Sequence, residues 1–288
     1  MKELVVISGK GGTGKTSLIA AFASLAEKKV LCDADVDAAD LHLIVNPVVS
    51  LSVDFISGHT ADIDKDKCTE CGLCIDMCNF GAISDDYKVN PLDCEGCGVC
   101  VYFCPEKAIE FPSNTCGQWF KSDTRFGPMV HGRLGIAEEN SGKLVSLIRQ
   151  ESRKLADQKP LDLILTDAPP GVGCPVIASI GGASAVLVVT EPTLSGVHDM
   201  ERVVKLADHF KVQAMVCINK YDLNLDLTRN IENYAKQQGI NCLGRIRFDP
   251  IFTKAMVEGK TVIEYNSHST ACQAVIDIWE NLSKRLCL

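Results

Sequence analysis

Residues 4–16 read Leu4-Val5-Val6-Ile7-Ser8-Gly9-Lys10-Gly11-Gly12-Thr13-Gly14-Lys15-Thr16, and an apolar run of helical character follows from Leu18 to Ala26. A strand-length apolar segment, a glycine-rich turn and a helix, in that order, make a phosphate-binding loop. Glycines are needed because any side chain would hold the backbone away from the phosphates. Gly9, Lys10, Gly11, Gly12, Thr13, Gly14, Lys15, Thr16 and Ser17 are therefore the expected nucleotide-binding residues. Their amides and the start of the helix face the phosphates, Lys15 neutralises the β/γ oxygens, and the Thr16 hydroxyl binds Mg²⁺.

Four further apolar runs follow. Val30-Leu31-Cys32 ends in Asp33-Ala34-Asp35-Val36-Asp37, with Lys28 and Lys29 in a surface turn before it and a short helix within Ala38 to Val45 after it. Leu161 to Thr166 ends in Asp167-Ala168-Pro169-Pro170-Gly171, Ala185 to Thr190 is continuous, and Val212 to Ile218 is closed by Asn219-Lys220-Tyr221-Asp222. Continuous apolar strands alternating with helices predict an α/β fold, a mostly parallel P-loop NTPase sheet with helices on both faces. Its ligand is expected at the carboxyl ends of the strands. An aspartate placed like Asp222 can accept two hydrogen bonds from guanine, a donor pair that adenine lacks, so the residues alone leave ATP and GTP both open.

Eight of the fifteen cysteines form two runs, Cys68, Cys71, Cys74, Cys78 and Cys94, Cys97, Cys100, Cys104, each position recurring 26 residues later. Gly72 and Gly98, Ala82 and Ala108, and Ile83 and Ile109 keep the same offset, so the segment is an internal duplication. A C-x2-C-x2-C-x3-C run gives three thiolates to one cubane and the fourth to another. Two [4Fe–4S] clusters are expected, one on Cys68, Cys71, Cys74 and Cys104 and the other on Cys94, Cys97, Cys100 and Cys78; zinc is the alternative metal. Clustered cysteines behind a start without a secretory core imply a reducing cytoplasm. Cys32, Cys217 and Cys242 read as inert packing at strands, Cys116 and Cys174 as small residues at turns. The six histidines form no ligand spacing and read as surface or cap residues.

A net charge of −8 on 288 residues, without a basic block, argues against nucleic acid as a partner. No run reaches the roughly 18 apolar residues of a spanning helix. The helical stretch from Thr270 to Leu288 has only Lys284 and Arg285 as basic residues, too few for a membrane-surface anchor.

With Lys10 as a second lysine in the loop, the sequence resembles the MinD/ParA/Mrp family of deviant-Walker ATPases. The resemblance implies that Lys10 reaches across a nucleotide-sandwich dimer to the partner's phosphates, that Asp35 in the first switch positions the attacking water, and that Asp167 is an outer-sphere Mg²⁺ ligand. Lys10, Lys15 and Asp35 become the expected catalytic residues. Asn219 is expected to touch adenine, which favours ATP over GTP. Ala39-Asp40 stands where close members carry Pro-Asn, and Arg247 where they carry a base-clamping proline. Residues 59–112 resemble bacterial two-cluster ferredoxins, with Cys104-Pro105 matching their terminal proline and Cys78-Asn79 departing from it. Cys174 is similarly placed to the cysteine that follows the second switch in the nitrogenase iron protein.

The whole chain resembles MinD-superfamily P-loop ATPases with an inserted ferredoxin. The expected division is an ATPase domain of residues 1–58 and 113–288 and a small α+β ferredoxin domain of residues 59–112. Its flanks, Ser57-Gly58-His59 and Phe111-Pro112-Ser113-Asn114, are loop-like. The segment from Glu138 to Val145 also resembles that subfamily, with Ser141 as a helix N-cap. The implied function is MgATP-driven closure of a homodimer, or of a heterodimer with a paralogue, coupled to electron transfer toward a redox partner that the sequence does not name. Alternatives are an iron–sulfur carrier or assembly scaffold of Mrp type and a MinD/ParA-like spatial organiser.

Overall fold

The first strand, β1 (Lys2–Ile7), buries Leu4 and Val6 in one apolar cluster and Val5 and Ile7 in another. A pleated strand does this when both faces of its sheet are covered. The computed structural model describes residues 1–135 and 140–288. After β1 come α1 (Lys15–Leu25), β2 (Lys29–Asp33), α2 (His42–Val45), β3 (Val48–His59), β4 (Asp62–Ile63), α3 (Leu73–Met77), α4 (Val99–Phe103), β5 (Ile109–Glu110), β6 (Ser113–Thr124) and β7 (Gly127–Leu134). Then follow α5 (Ser141–Gln158), β8 (Leu163–Asp167), α6 (Cys174–Ile180), β9 (Ala185–Thr190), α7 (Leu194–His209), β10 (Gln213–Asn219), α8 (Leu225–Gln237), β11 (Asn241–Ile246), α9 (Ile251–Val257), α10 (Val262–Tyr265) and α11 (Thr270–Leu286).

The main sheet has the order β11-β10-β9-β1-β8-β2-β7-β6-β3. Each neighbouring pair from β11 to β7 is parallel, as the continuous apolar runs predict. One face carries α1 and α11, whose Phe22 and Trp279 rings lie 5.2 Å apart between centroids. The other face buries Val176 and Ile180 of α6 and Met200 and Val203 of α7. Among the described residues no helix is long and apolar enough to cross a membrane.

The chain divides into two units. The first comprises Met1–Ser52, Trp119–Arg133 and Ser141–Leu288, the second Val53–Gln118 and Leu134–Asn140. The chain passes between them within β3, β6 and β7. In the second unit Ala61, Ile63, Ile83 and Ile109 form a buried cluster packed by cysteine side chains from both runs, and Phe55, Ala82 and Ala108 are buried as well. Its repeat is visible in the backbone, for Gly72 and Gly98 precede α3 and α4 with φ of 78° and 72°.

Several local expectations are corrected. The flanks at 57–59 and 113–114 are strand, not loop. Ser57, Gly58 and His59 end β3, and Ser113 and Asn114 open β6, since partners in the sheet override the turn-forming composition. Lys29 opens β2 as a buried residue, its ammonium capping the carbonyl of Ala26 at 2.8 Å. Ser141 is the first residue of α5 instead of the one before it; Glu138 and Glu139 lie outside the described residues. Cys116 is buried within β6, not at a turn, and Cys242 is exposed on β11, not packed. His131 is no surface residue: it stacks on Phe120 and its Nε2 lies 2.9 Å from Ser122 Oγ. Burial, with His42 assisting, lowers its pKa to about 4.

Four elements of the first unit are joined by one buried ion pair. Arg149 of α5 donates from Nε to Glu3 Oε1 of β1 at 2.7 Å and from Nη1 to the carbonyl of Gly181 after α6 at 2.9 Å. Thr166 of β8 also donates to Glu3, at 3.2 Å. Removing the guanidinium leaves a carboxylate that is 4% exposed with Arg153 as its one remaining cation among the described residues. Arg149→Ala is expected to lower unfolding free energy by about 3 kcal/mol, read from chemical denaturation, whereas Arg149→Met costs less because the stem still packs.

Candidate functional site

Because β1, β8 and β2 are adjacent and parallel, their carboxyl ends converge on the glycine-rich turn. The register places Asp33 beside Asp167 and Asp167 beside Val6. Gly12 and Gly14 have φ of 78° and 88°, the left-handed region that favours glycine. A side chain at Gly9 would put its Cβ 2.1 Å from that of Asp199 on α7. The turn is thus confined to glycine by its backbone at two places and by close packing at a third.

Lys15, at the start of α1, is 6% exposed. Its ammonium donates to Asp167 Oδ1 and lies 3.3 Å from Asp35 Oδ2. Burial alone would lower its pKa, but attraction to Asp167 and Asp35 outweighs that and raises it. Burial, reinforced by Asp167 and opposed by Lys15, pushes Asp35 up to about 6. Burial, and then repulsion by Asp167, holds Asp33 well above the ordinary carboxylate range. Asp33 accepts the Asp35 amide at 3.2 Å on Oδ1, while its buried Oδ2 has no hydrogen-bond partner among the described residues. Three buried carboxylates facing one ammonium leave this corner short of positive charge, which suits a divalent cation.

A cavity of about 450 Å³ opens over Gly11 to Ser17 and is also lined by Asp35, Asn219, Lys220, Phe248 and Phe252. That volume is in the range of small-molecule sites. Asn219 Nδ2 donates to the carbonyl of Thr13 at 2.7 Å, and Lys220 Nζ to that of Gly12 at 2.9 Å, so the end of β10 braces the loop. Asp222 does not line the cavity. Its oxygens accept the Phe248 amide at 2.7 Å and Arg247 Nε at 3.0 Å. The carboxylate that could have read guanine is therefore engaged by the residue standing in the family's proline position. Phe248 and Phe252 were not legible as site residues, because only the packing of the segment after β11 carries them to the cavity. Lys10 lies outside the lining, held instead by Glu191, Thr193 and Ser195.

In the second unit one cavity is lined by Cys68, Cys71, Cys74 and Cys104 with Ile63, Tyr87 and Pro105. A second is lined by Cys94, Cys97, Cys100 and Cys78 with Phe80, Ile83 and Phe111. The repeat brings the fourth cysteine of each run to the cavity of the other. Among the described residues no group of three or more potential ligands that could hold a metal ion is found; the sulfurs line the two cavities. Cys71 and Cys97 are exposed and the other six partly buried.

The family model described as the CobQ/CobB/MinD/ParA nucleotide binding domain matches residues 4–262. The uncharacterized protein MJ0578 of Methanocaldococcus jannaschii is 32% identical over 285 residues, covering 98% of this chain and 96% of that protein. The septum site-determining protein MinD of Pyrococcus horikoshii, solved in complex with Mg-ADP, superposes with a TM-score of 0.61 at 18% identity, over 99% of this chain and 97% of that one. Pyruvate synthase subunit PorD of Methanothermobacter marburgensis is 44% identical over 48 residues, 17% of this chain and 59% of that subunit.

The raised pKa of Asp35 makes a prediction for the nucleotide-free protein. A carboxyl that binds its proton more tightly folded than unfolded contributes stability below the unfolded pKa and loses it as pH rises through the folded one. Relative to wild type, Asp35→Asn is expected to gain thermal stability as pH is raised from about 4 to about 6, with little difference below that window. A difference independent of pH would contradict the assignment.

Proposed function

The chain belongs to the CobQ/CobB/MinD/ParA nucleotide-binding family, and from that premise we propose that it is a dimeric, MgATP-binding and ATP-hydrolysing protein whose second unit holds two [4Fe–4S] clusters. Nucleotide-dependent change in the first unit is coupled to electron transfer through the second. One observation carries this reading. The same chain has Lys15 between two carboxylates under a cavity of nucleotide size and two cavities each bounded by four cysteines in the interleaved sets.

In the first unit Lys15 exchanges its carboxylate partners for the β/γ phosphate oxygens, and the amides from Gly9 to Ser17 surround the phosphates. Asp167 and the Thr16 hydroxyl are the residues that would hold the Mg²⁺ shell. Asp35 orients the attacking water, and Lys10 of a second copy completes the charge around the transferring group. Asn219 faces the base, and the engagement of Asp222 by Arg247 and Phe248 favours adenine. The Mg-ADP bound to the similarly folded Pyrococcus protein supports the nucleotide assignment.

In the second unit Cys68, Cys71, Cys74 and Cys104 hold one cluster and Cys94, Cys97, Cys100 and Cys78 the other. When bound, such clusters supply one-electron transfer. The 44% identity to a pyruvate synthase subunit over a short stretch supports this half of the reading. Exposure of Cys71 and Cys97 favours a second reading, donation of clusters to an acceptor protein.

Anaerobically purified protein is expected to contain about eight iron atoms per chain, and Cys104→Ser about half of that, because one interleaved set loses its fourth thiolate. Redox titration followed by EPR, with and without MgATP, separates the readings: a nucleotide-dependent potential supports coupling, and iron appearing in an apo-acceptor supports donation. Lys15→Ala is expected to abolish nucleotide binding by calorimetry while leaving the iron content unchanged. ATP should displace bound fluorescent ADP better than GTP does, and equal competition would refute the base assignment.

A further inference from the structure

We propose that Glu191 is a positioning residue that parks the Lys10 ammonium on its own chain and so sets how readily Lys10 becomes available to a second copy. The inference rests on the dimeric ATPase reading above. An ammonium has three protons to donate. Lys10 Nζ lies 2.5 Å from Glu191 Oε1, 3.1 Å from Thr193 Oγ1 and 3.2 Å from Ser195 Oγ. All three acceptors come from residues 191–195, where β9 gives way to α7, so the donor capacity of Lys10 is filled from within the chain. Lys15 lines the nucleotide cavity and Lys10 does not.

Glu191 is built to let go. Its second oxygen accepts from Lys220 Nζ at 3.1 Å, and Lys220 also donates to the carbonyl of Gly12 in the phosphate loop. Burial pushes the Glu191 carboxyl up, but the hydrogen bonds from Lys10 and Lys220 outweigh it and hold it below the ordinary range, so it stays ionised. A largely buried carboxylate that lost its sole cation would resist the loss strongly. With Lys220 in place, Glu191 keeps a partner when Lys10 leaves, and the cost of departure is reduced to that of a partly exposed pair. Thr193 Oγ1 meanwhile accepts the Gly196 amide at 3.0 Å as the cap of α7, so it too keeps a role when Lys10 departs.

Glu191→Gln preserves shape and removes charge, and Ser195→Ala removes a weaker tether at an exposed position. Two measurements on the protein test this. Acetylation of the Lys10 amine by acetic anhydride, followed by mass spectrometry without nucleotide, is expected to be about fivefold faster in Glu191→Gln, the factor of a partly exposed ion pair, and to rise less in Ser195→Ala. The protein concentration for half-dimerisation with MgATP, measured by sedimentation, should fall by about fivefold in Glu191→Gln, and that shift should vanish in a Lys10→Ala background. Unchanged labelling, or a shift that persists without Lys10, would overturn the proposal. If labelling responds while the wild type stays monomeric with MgATP, parking stands and the dimeric reading fails.

Discussion

The contact on which the first unit depends is the ammonium of Lys15 against the carboxylates of Asp167 and Asp35. These groups come from three places in the chain, the end of the glycine-rich turn and the ends of β8 and β2. Parallel pairing of β8 with β1 on one side and β2 on the other makes their meeting unavoidable. Asp33 adds a third buried carboxylate in register with Asp167. Charges of one sign gathered out of water are costly unless a cation answers them. The single lysine answers them in part, and burial, with repulsion by Asp167, still leaves the pKa values of Asp33 and Asp35 raised. On the proposed function, phosphate oxygens would take the lysine and a divalent cation would answer the carboxylates in its place.

The turn that holds Lys15 is itself held from outside. Asn219 and Lys220 brace it from β10, Asp199 of α7 leaves no room for a side chain at Gly9, and Glu191 draws Lys10 and Lys220 together. Segments 190 to 220 residues along the chain therefore decide how the first sixteen residues are presented. The two lysines of the motif have different surroundings for this reason: Lys15 is buried among carboxylates, and Lys10 is tied at the surface.

The second unit is organised on another principle. Its central apolar cluster is Ala61, Ile63, Ile83 and Ile109 amid cysteines. The duplicated sequence gives each half the same left-handed glycine, the same short helix and the same three cysteines. The fourth cysteine of each half lines the cavity of the other. That exchange ties the halves together through the positions that would carry ligands.

The sequence by itself determined the glycine-rich turn between strand and helix, the parallel strands at 4–7, 30–32, 185–190 and 212–218, and the grouping of eight cysteines that the two cavities repeat. Each of those rests on local spacing or on periodicity, which a single strand or turn expresses without help from distant residues. Tertiary structure decided the rest. The glycine, proline and serine at 57–59 and 112–114 have loop composition, yet β3 and β6 include most of these positions because neighbouring strands supply hydrogen-bond partners. Asp222 has the position of a base reader, but Arg247 and the Phe248 amide occupy it from 25 and 26 residues away. Lys10 carries the family's motif in plain view, while the carboxylate that holds it is 181 residues downstream. Which atoms a charged side chain meets depends on chain segments brought together by packing, and no local pattern records that.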